Sequence, residues 1–239
     1  MSIVTNIAVI HQQIAGAARH ANRDAGSIRL MAVSKTFPAA AILEAYAAGQ
    51  RLFGESKVQE FADKMGTLPA LADAQFHMIG HLQSNKAAKA VELFQAIDSV
   101  DSPKLAFRLN AAAEALEKVL PVLIEINIGG EEAKSGVAPD SADLSEILNG
   151  APAWPHLEIR GMMTVPPFTE DPEGARPYFR KLRELRDTLA ARNFPNVSFD
   201  ELSMGMSHDF EVAIEEGSTC VRIGTAIFGS RNKGEPTKP

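Results

Sequence analysis

The sequence has one cysteine, one tryptophan, two tyrosines and no long apolar run. A lone thiol, Cys220, excludes an intrachain disulfide and fits a reducing compartment. Nowhere do about 18 apolar residues run unbroken, so no membrane-spanning helix is expected. The first stretch, MSIVTNIAVIHQQIAGAARHANRDAG, lacks the basic start and continuous apolar core of a signal peptide. Basic residues are in deficit: 24 Lys and Arg against 30 Asp and Glu give a net charge of -6, and no basic run offsets it. Nucleic acid is therefore not the expected partner. Linkers rich in Pro or Gly are missing, and so is any period that would signal a solenoid. These absences leave a cytoplasmic protein with no membrane association. Its 239 residues, 45% hydrophobic, can build one sizeable domain or two small ones.

What is present is a strict alternation. Residues 3–25 read as an amphipathic helix, with Ile3, Ile7, Ile10 and Ile14 on one face and Gly26 as its C-cap. An apolar strand follows over 28–36, and Pro38 opens a helix over 39–48 that Gly49 ends. Further strands are expected at 51–54, 75–79, 94–100, 121–128, 157–164, 197–202 and 219–224. Helices fall between them, the longer ones at 104–118 behind Ser102-Pro103 and at 174–193, with a short last one from Thr225. About eight strands alternating with helices imply a parallel sheet, and eight units in this length imply a single (β/α)8 TIM-type barrel with an extra N-terminal helix. An open doubly wound sheet is the alternative; no G-x-G-x-x-G follows the first strand to support it. The barrel is expected to occupy 1–231, with a disordered tail at 232–239.

In a barrel the active groups lie at strand carboxyl ends. Those ends carry Lys35, Glu55-Ser56, His77 to His81, Asp101, Asn127, Met163-Thr164, Ser203 to Ser207 and Arg222 to Thr225. A lysine ending a buried strand is costly unless it pairs, shifts its pKa downward or reacts, and a desolvated amine is what an imine with an aldehyde cofactor requires. An ordinary lysine reaching solvent is the bland alternative. Ser203-Met204-Gly205-Met206-Ser207 and Gly224-Thr225 follow the seventh and eighth strands, where barrels hold phosphate; the two serines could equally be helix N-caps. Arg222 alternates onto the face opposite Val221 and Ile223. Set against a pyridine nitrogen it would keep that atom unprotonated; a salt bridge to Glu201 is the competing role. Lysine, phosphate cradle and ring-nitrogen partner together describe pyridoxal 5′-phosphate (PLP). His77 and His81 lack a carboxylate in metal-ligand spacing, and Cys220 reads as a core residue.

Several segments occur in an order that resembles a known family: AVSKT at 32–36, FGE at 53–55, HMIGHLQSNK at 77–86, KSG at 134–136, RGMM at 160–163, LSMGMS at 202–207 and VRIGTAIFG at 221–229. The chain is similar, across 28–231, to the pyridoxal phosphate homeostasis proteins. That resemblance implies a barrel like the N-terminal domain of alanine racemase, with PLP held as an imine on Lys35. It places phosphate contacts on Ser203, Gly224 and Thr225 and the ring-nitrogen arginine on Arg222, with Ser56, Met204 and Ser207 beside them. Two positions depart from the family pattern: Ser56 stands where an asparagine is usual, and His208 where a small or acidic residue is usual.

The resemblance implies a carrier or buffer of PLP acting on amino- and keto-acid balance. PLP-dependent apo-enzymes are its candidate recipients, and a monomer or weak homodimer its expected form. A PLP-dependent amino-acid racemase is the alternative. Racemisation needs a base on each face of the substrate carbon; Lys35 supplies one, and the tyrosines, Tyr46 and Tyr178, fall in outer helices. A phosphate-sugar barrel enzyme is a third reading, and it leaves Lys35 unexplained except as an aldolase lysine.

Overall fold

Parallel strands whose two faces are both covered must either find helices on each side or curl until one face meets itself. Here the sheet curls. The computed structural model describes residues 2–131 and 134–230, so the expected tail lies outside the described residues. Eight strands close into a barrel in chain order, the first pairing with the last. The elements run α1 (Ile3–His20), β1 (Arg29–Val33), α2 (Ala39–Ala47), β2 (Leu52–Glu55), α3 (Val58–Met65), β3 (Gln75–Met78), α4 (Ala87–Leu93), β4 (Ala96–Val100) and α5 (Pro103–Ala115). Then come β5 (Leu120–Glu125), α6 (Ala142–Gly150), β6 (Leu157–Met163), α7 (Arg176–Ala190), β7 (Val197–Met206), α8 (Phe210–Glu215), β8 (Cys220–Ile223) and α9 (Thr225–Phe228). No helix of the described residues is long and apolar enough to cross a membrane.

Two boundaries differ from the periodicity. α1 stops at His20, not 25, because Asn22 turns left-handed (φ 53°) and the Asp24 carboxylate then takes the Gly26 N–H at 3.0 Å, capping a separate 3-10 turn. β7 runs four residues beyond 202, because Ser203 and Met206 continue to pair with Cys220 and Arg222 on β8. The expected phosphate loop is thus largely strand. α1 lies against α8 and α9; Asn6 donates to the Ile227 carbonyl (2.8 Å) and Arg23 to that of Ile214 (2.7 Å).

Alternation sorts the side chains. Outward-facing Ala32, Phe53, Val122, Ile124, Leu202, Met204, Val221 and Ile223 join the helix faces in one apolar core. Its tightest part is a chain of rings: Phe53 and Phe76 at 5.2 Å, Phe76 and Phe61 at 4.7 Å, Phe61 and Phe94 at 4.7 Å. The lumen is different. A small cluster of Met31, Leu52 and Cys220 sits inside, and around it stand Arg222, Asp98, His77, Glu125 and Ser203, all buried. Burial pushes the Cys220 thiol up to about 12, so it stays an inert thiol. The register of β6 on β7 shifts between Ile159 and Gly161, and Gly161 (φ 154°) lies so near β7 that a Cβ there would stand 1.9 Å from the Glu201 carbonyl oxygen.

Phe61 is fully buried at the middle of the ring chain. Phe61→Ala is expected to lower unfolding free energy by about 3–5 kcal/mol, read from a urea titration. A loss below about 1 kcal/mol would mean that the rings do not pack as one unit.

Candidate functional site

β1 ends at Val33, and the chain turns at once through Ser34, Lys35 and Thr36. Thr36 is held at φ 68°, a region that a β-branched side chain rarely occupies. Three groups from the neighbouring unit hold the turn there. The Thr36 N–H donates to Glu60 Oε1 at 2.6 Å, the Ser34 hydroxyl to Glu55 Oε1 at 2.8 Å, and Lys64 Nζ to the Ser34 carbonyl at 3.0 Å. Lys64 also binds Glu55 (2.9 Å) and Glu60 (2.9 Å). Burial pushes the Glu55 carboxyl above its ordinary value, opposed by Lys64 and the Ser34 hydroxyl. At Glu60, burial pushes the same way, but bonds from Lys64 and the Thr36 N–H outweigh it and hold the group below its ordinary value. This strained turn and its anchors present Lys35 half-buried at the barrel mouth.

Lys35 lines a cavity of about 260 Å³ with Val33, Ile79, Val165, Met206, Ser207, His208, Arg222, Gly224 and Thr225. The volume suits a small ligand, just below the roughly 300–1,000 Å³ usual for ligand pockets. Arg222 forms part of its wall from β8. Its Nη1 donates to the Ser203 carbonyl (2.6 Å) and hydroxyl (2.8 Å), and its Nη2 to the Thr164 carbonyl (2.7 Å). Burial lowers its pKa, opposed by Cys220, Asp98, Glu125 and Asp209, and a guanidinium so placed remains charged. Glu201 is not its partner: that carboxylate pairs with Arg29 at the start of β1. Ser207 joins the loops after β7 and β8 by accepting the Ala226 N–H at 3.4 Å. Gly224 leads into α9 and lines the cavity beside Val33.

Lys35, Ser207, Arg222, Gly224 and Thr225 thus come together. Ser203 and Met204 do not reach the cavity. Ser203 points into the lumen as the acceptor for Arg222, and Met204 points outward into the apolar core. Ser56 packs against Gly80 and is not part of the cavity wall. The two serines are not helix caps either, since α8 begins at Phe210 behind Asp209. His208 is exposed yet lines the cavity, its Nε2 donating to the Glu170 carbonyl at 3.0 Å and its ring 5.5 Å from that of Phe168. His77 and His81 do not share a metal: His77 pairs with Asp98 (3.0 Å), His81 with Asp101 (2.7 Å), and no metal-holding group exists among the described residues. Asn127 orders the loop after β5 through the Glu131 and Lys134 carbonyls.

Two groups escaped the sequence reading. Lys64, on the buried side of α3, looked like an ordinary helix lysine. Glu125, at the end of β5, was passed over inside an apolar run, although alternation with Leu123 puts it in the lumen. Burial, and Asp101 beside it, raise the Glu125 carboxyl to about 7 against the pull of Arg222 and His81.

This is the architecture of a TIM-type barrel with a lysine after its first strand and an arginine on its last, both lining one cavity at the strands' carboxyl ends. The family model for alanine racemase, N-terminal domain, matches residues 6–232. Alanine racemase of Clostridium difficile shares the fold at 14% identity, with a TM-score of 0.66 over 94% of this chain and 57% of that one.

Within that class the chain belongs to the pyridoxal phosphate homeostasis protein family. The Aquifex aeolicus pyridoxal phosphate homeostasis protein is 45% identical over 231 residues, covering 97% of this chain and 99% of the relative. PipY of Synechococcus elongatus, solved with PLP bound, is 38% identical with a TM-score of 0.83, covering 95% of this chain and all of that one.

Two expectations follow. Lys64→Ala strands the buried Glu55 carboxyl and is expected to cost about 3 kcal/mol in urea unfolding, with Lys64→Ala/Glu55→Gln recovering much of it; equal losses in both variants would reject the coupling. Glu125 has a folded pKa of about 7 against an ordinary 4.5. The folded state therefore keeps that proton longer, and stability falls as pH rises from about 4.5 to above 7, by at most ~3 kcal/mol. Glu125→Gln is expected to flatten this part of the stability profile between pH 5 and pH 8; an unchanged profile would place the titration elsewhere.

Proposed function

We propose that the protein holds PLP at the barrel mouth and takes part in intracellular control of the free cofactor. One observation carries this reading: Lys35, Arg222, Ser207, Gly224 and Thr225 line a single cavity. PipY, which binds PLP, is a relative over nearly the whole chain. The residues fit the cofactor's chemistry. Lys35 is the amine for its aldehyde, and Arg222 faces the cavity with a fixed positive charge. Gly224, Thr225 and Ser207 offer close backbone and hydroxyls to a phosphate.

Bound there, PLP supplies an aldehyde carbon and a ring that accepts electrons. What the chain does with it is restrained. The Arg222 charge keeps a facing nitrogen unprotonated, which weakens the ring as an electron sink. Neither Tyr46 nor Tyr178 lines the cavity; they sit on α2 and α7, and the Tyr46 hydroxyl is bonded to Asp73. A second base to reprotonate a substrate from the opposite side is therefore not supplied by a tyrosine, and carrier or buffer is favoured over racemase. The protein acts in the cytoplasm as a monomer or weak homodimer, with PLP-dependent apo-enzymes as recipients.

The test is the visible spectrum after mixing with PLP. A yellow band that borohydride fixes covalently is expected in the native chain and not in Lys35→Ala, with no alanine racemisation from the same sample. A band unchanged in Lys35→Ala would reject the anchor, and no band in the native chain would reject the cofactor.

A further inference from the structure

The cofactor reading uses the β6–β8–β1 side of the mouth and leaves the opposite side without a role. There the loop after β3, the end of β4 and the end of β5 place His81, Asp101 and Glu125 near enough for the charges of the first two to act on the third. His81 Nδ1 lies 2.7 Å from Asp101 Oδ2, so one acid is engaged. The other is not. Glu125 is 8% exposed, and its Oε2 is buried with no hydrogen-bond partner among the described residues. A carboxyl oxygen left unsatisfied in a buried place is costly, and more so when charged. It is held in the lumen by strand pairing, since Glu125 is in register with Met163 on β6 and its neighbour Ile124 with Val100 on β4. The charged groups that act on it are Asp101, Arg222 on β8 and His81. Arg222 is already committed to the Ser203 and Thr164 carbonyls.

The chemistry of a ligand that would complete this corner is constrained. It must donate to an orphan acceptor, and it must offset repulsion between two acids. A phosphate or carboxylate adds negative charge to two acids, and a neutral hydroxyl relieves only the first need. We propose that Glu125, with Asp101 and His81, forms a binding site for the primary ammonium group of a small amine or amino acid. The choice of an organic amine over a simple cation rests on the cofactor reading, because an amine is the class of compound that displaces an aldehyde from a lysine. The site itself stands without it. It would bring an incoming amine to the mouth that Lys35 shares, and let Glu125 take up its proton near neutral pH.

The test uses the full chain free of PLP, so it gives an answer whether or not Lys35 takes the cofactor. Ethylammonium chloride is titrated at constant ionic strength, following the carboxyl carbon signal of Glu125 by NMR, assigned by its loss in Glu125→Gln. A saturable shift is expected at pH 8, with about tenfold weaker apparent affinity at pH 6, where a group titrating near 7 is mostly protonated. Ethanol is expected to give no saturable shift. In Glu125→Gln with native circular dichroism, the backbone amides of 124–126 are expected to stay unmoved by ethylammonium. Absence of saturation at pH 8, an equal response to potassium chloride, or a saturable shift of those amides in Glu125→Gln as large as in the native chain would each overturn the proposal.

Discussion

The buried guanidinium of Arg222 is the constraint around which this barrel is arranged. An unpaired charge in a lumen would be prohibitive, so the strands beside it turn polar atoms inward: the Ser203 carbonyl and hydroxyl from β7 and the Thr164 carbonyl just past β6. These bonds tie the last three strands together where the phosphate-side loops begin. They also account for the extension of β7 to Met206, which keeps Ser203 within a strand paired to β8. Arg222 is thus a structural clamp and a wall of the cavity at once, and its replacement would disturb both.

The two layers of the barrel obey different rules. Outside, apolar strand faces and helices pack as an ordinary core, with the phenylalanine chain at its centre. Inside stand the polar side chains of Arg222, His77, Asp98 and Glu125, with few apolar side chains between. Such a lumen gives up hydrophobic stabilisation in exchange for a set of polar groups held in place by the strands. The strained Thr36 turn shows the same logic on a smaller scale. Its backbone is held in a poor conformation by Glu60, Glu55 and Lys64, and the result is a lysine aimed at the cavity instead of at solvent.

The strand that ends at Lys35, the alternating units and the glycine-bearing ends of the seventh and eighth strands were legible because each is a local pattern: period-2 runs, caps, turn residues. The parity of Arg222 was legible for the same reason. The role of Ser203 was not. A serine after a strand reads as a cap or a phosphate donor, and only the register of β7 against β8 turns it toward Arg222. Ser56, expected near the ligand, lies against Gly80 instead, because the path of the loop after β3 decides what stands beside it.

By itself the sequence determined that eight β/α units alternate, that Lys35 ends the first strand, and that Arg222 faces away from the helices, since periodicity and side-chain parity are properties of neighbouring residues. The tertiary structure alone decided which polar groups share a space. Lys64 beneath Lys35, His208 at the cavity edge, and the unsatisfied Glu125 among Asp101, His81 and Arg222 are brought together from distant units. Such meetings follow from barrel closure and strand register, and a chain of local patterns carries no record of either.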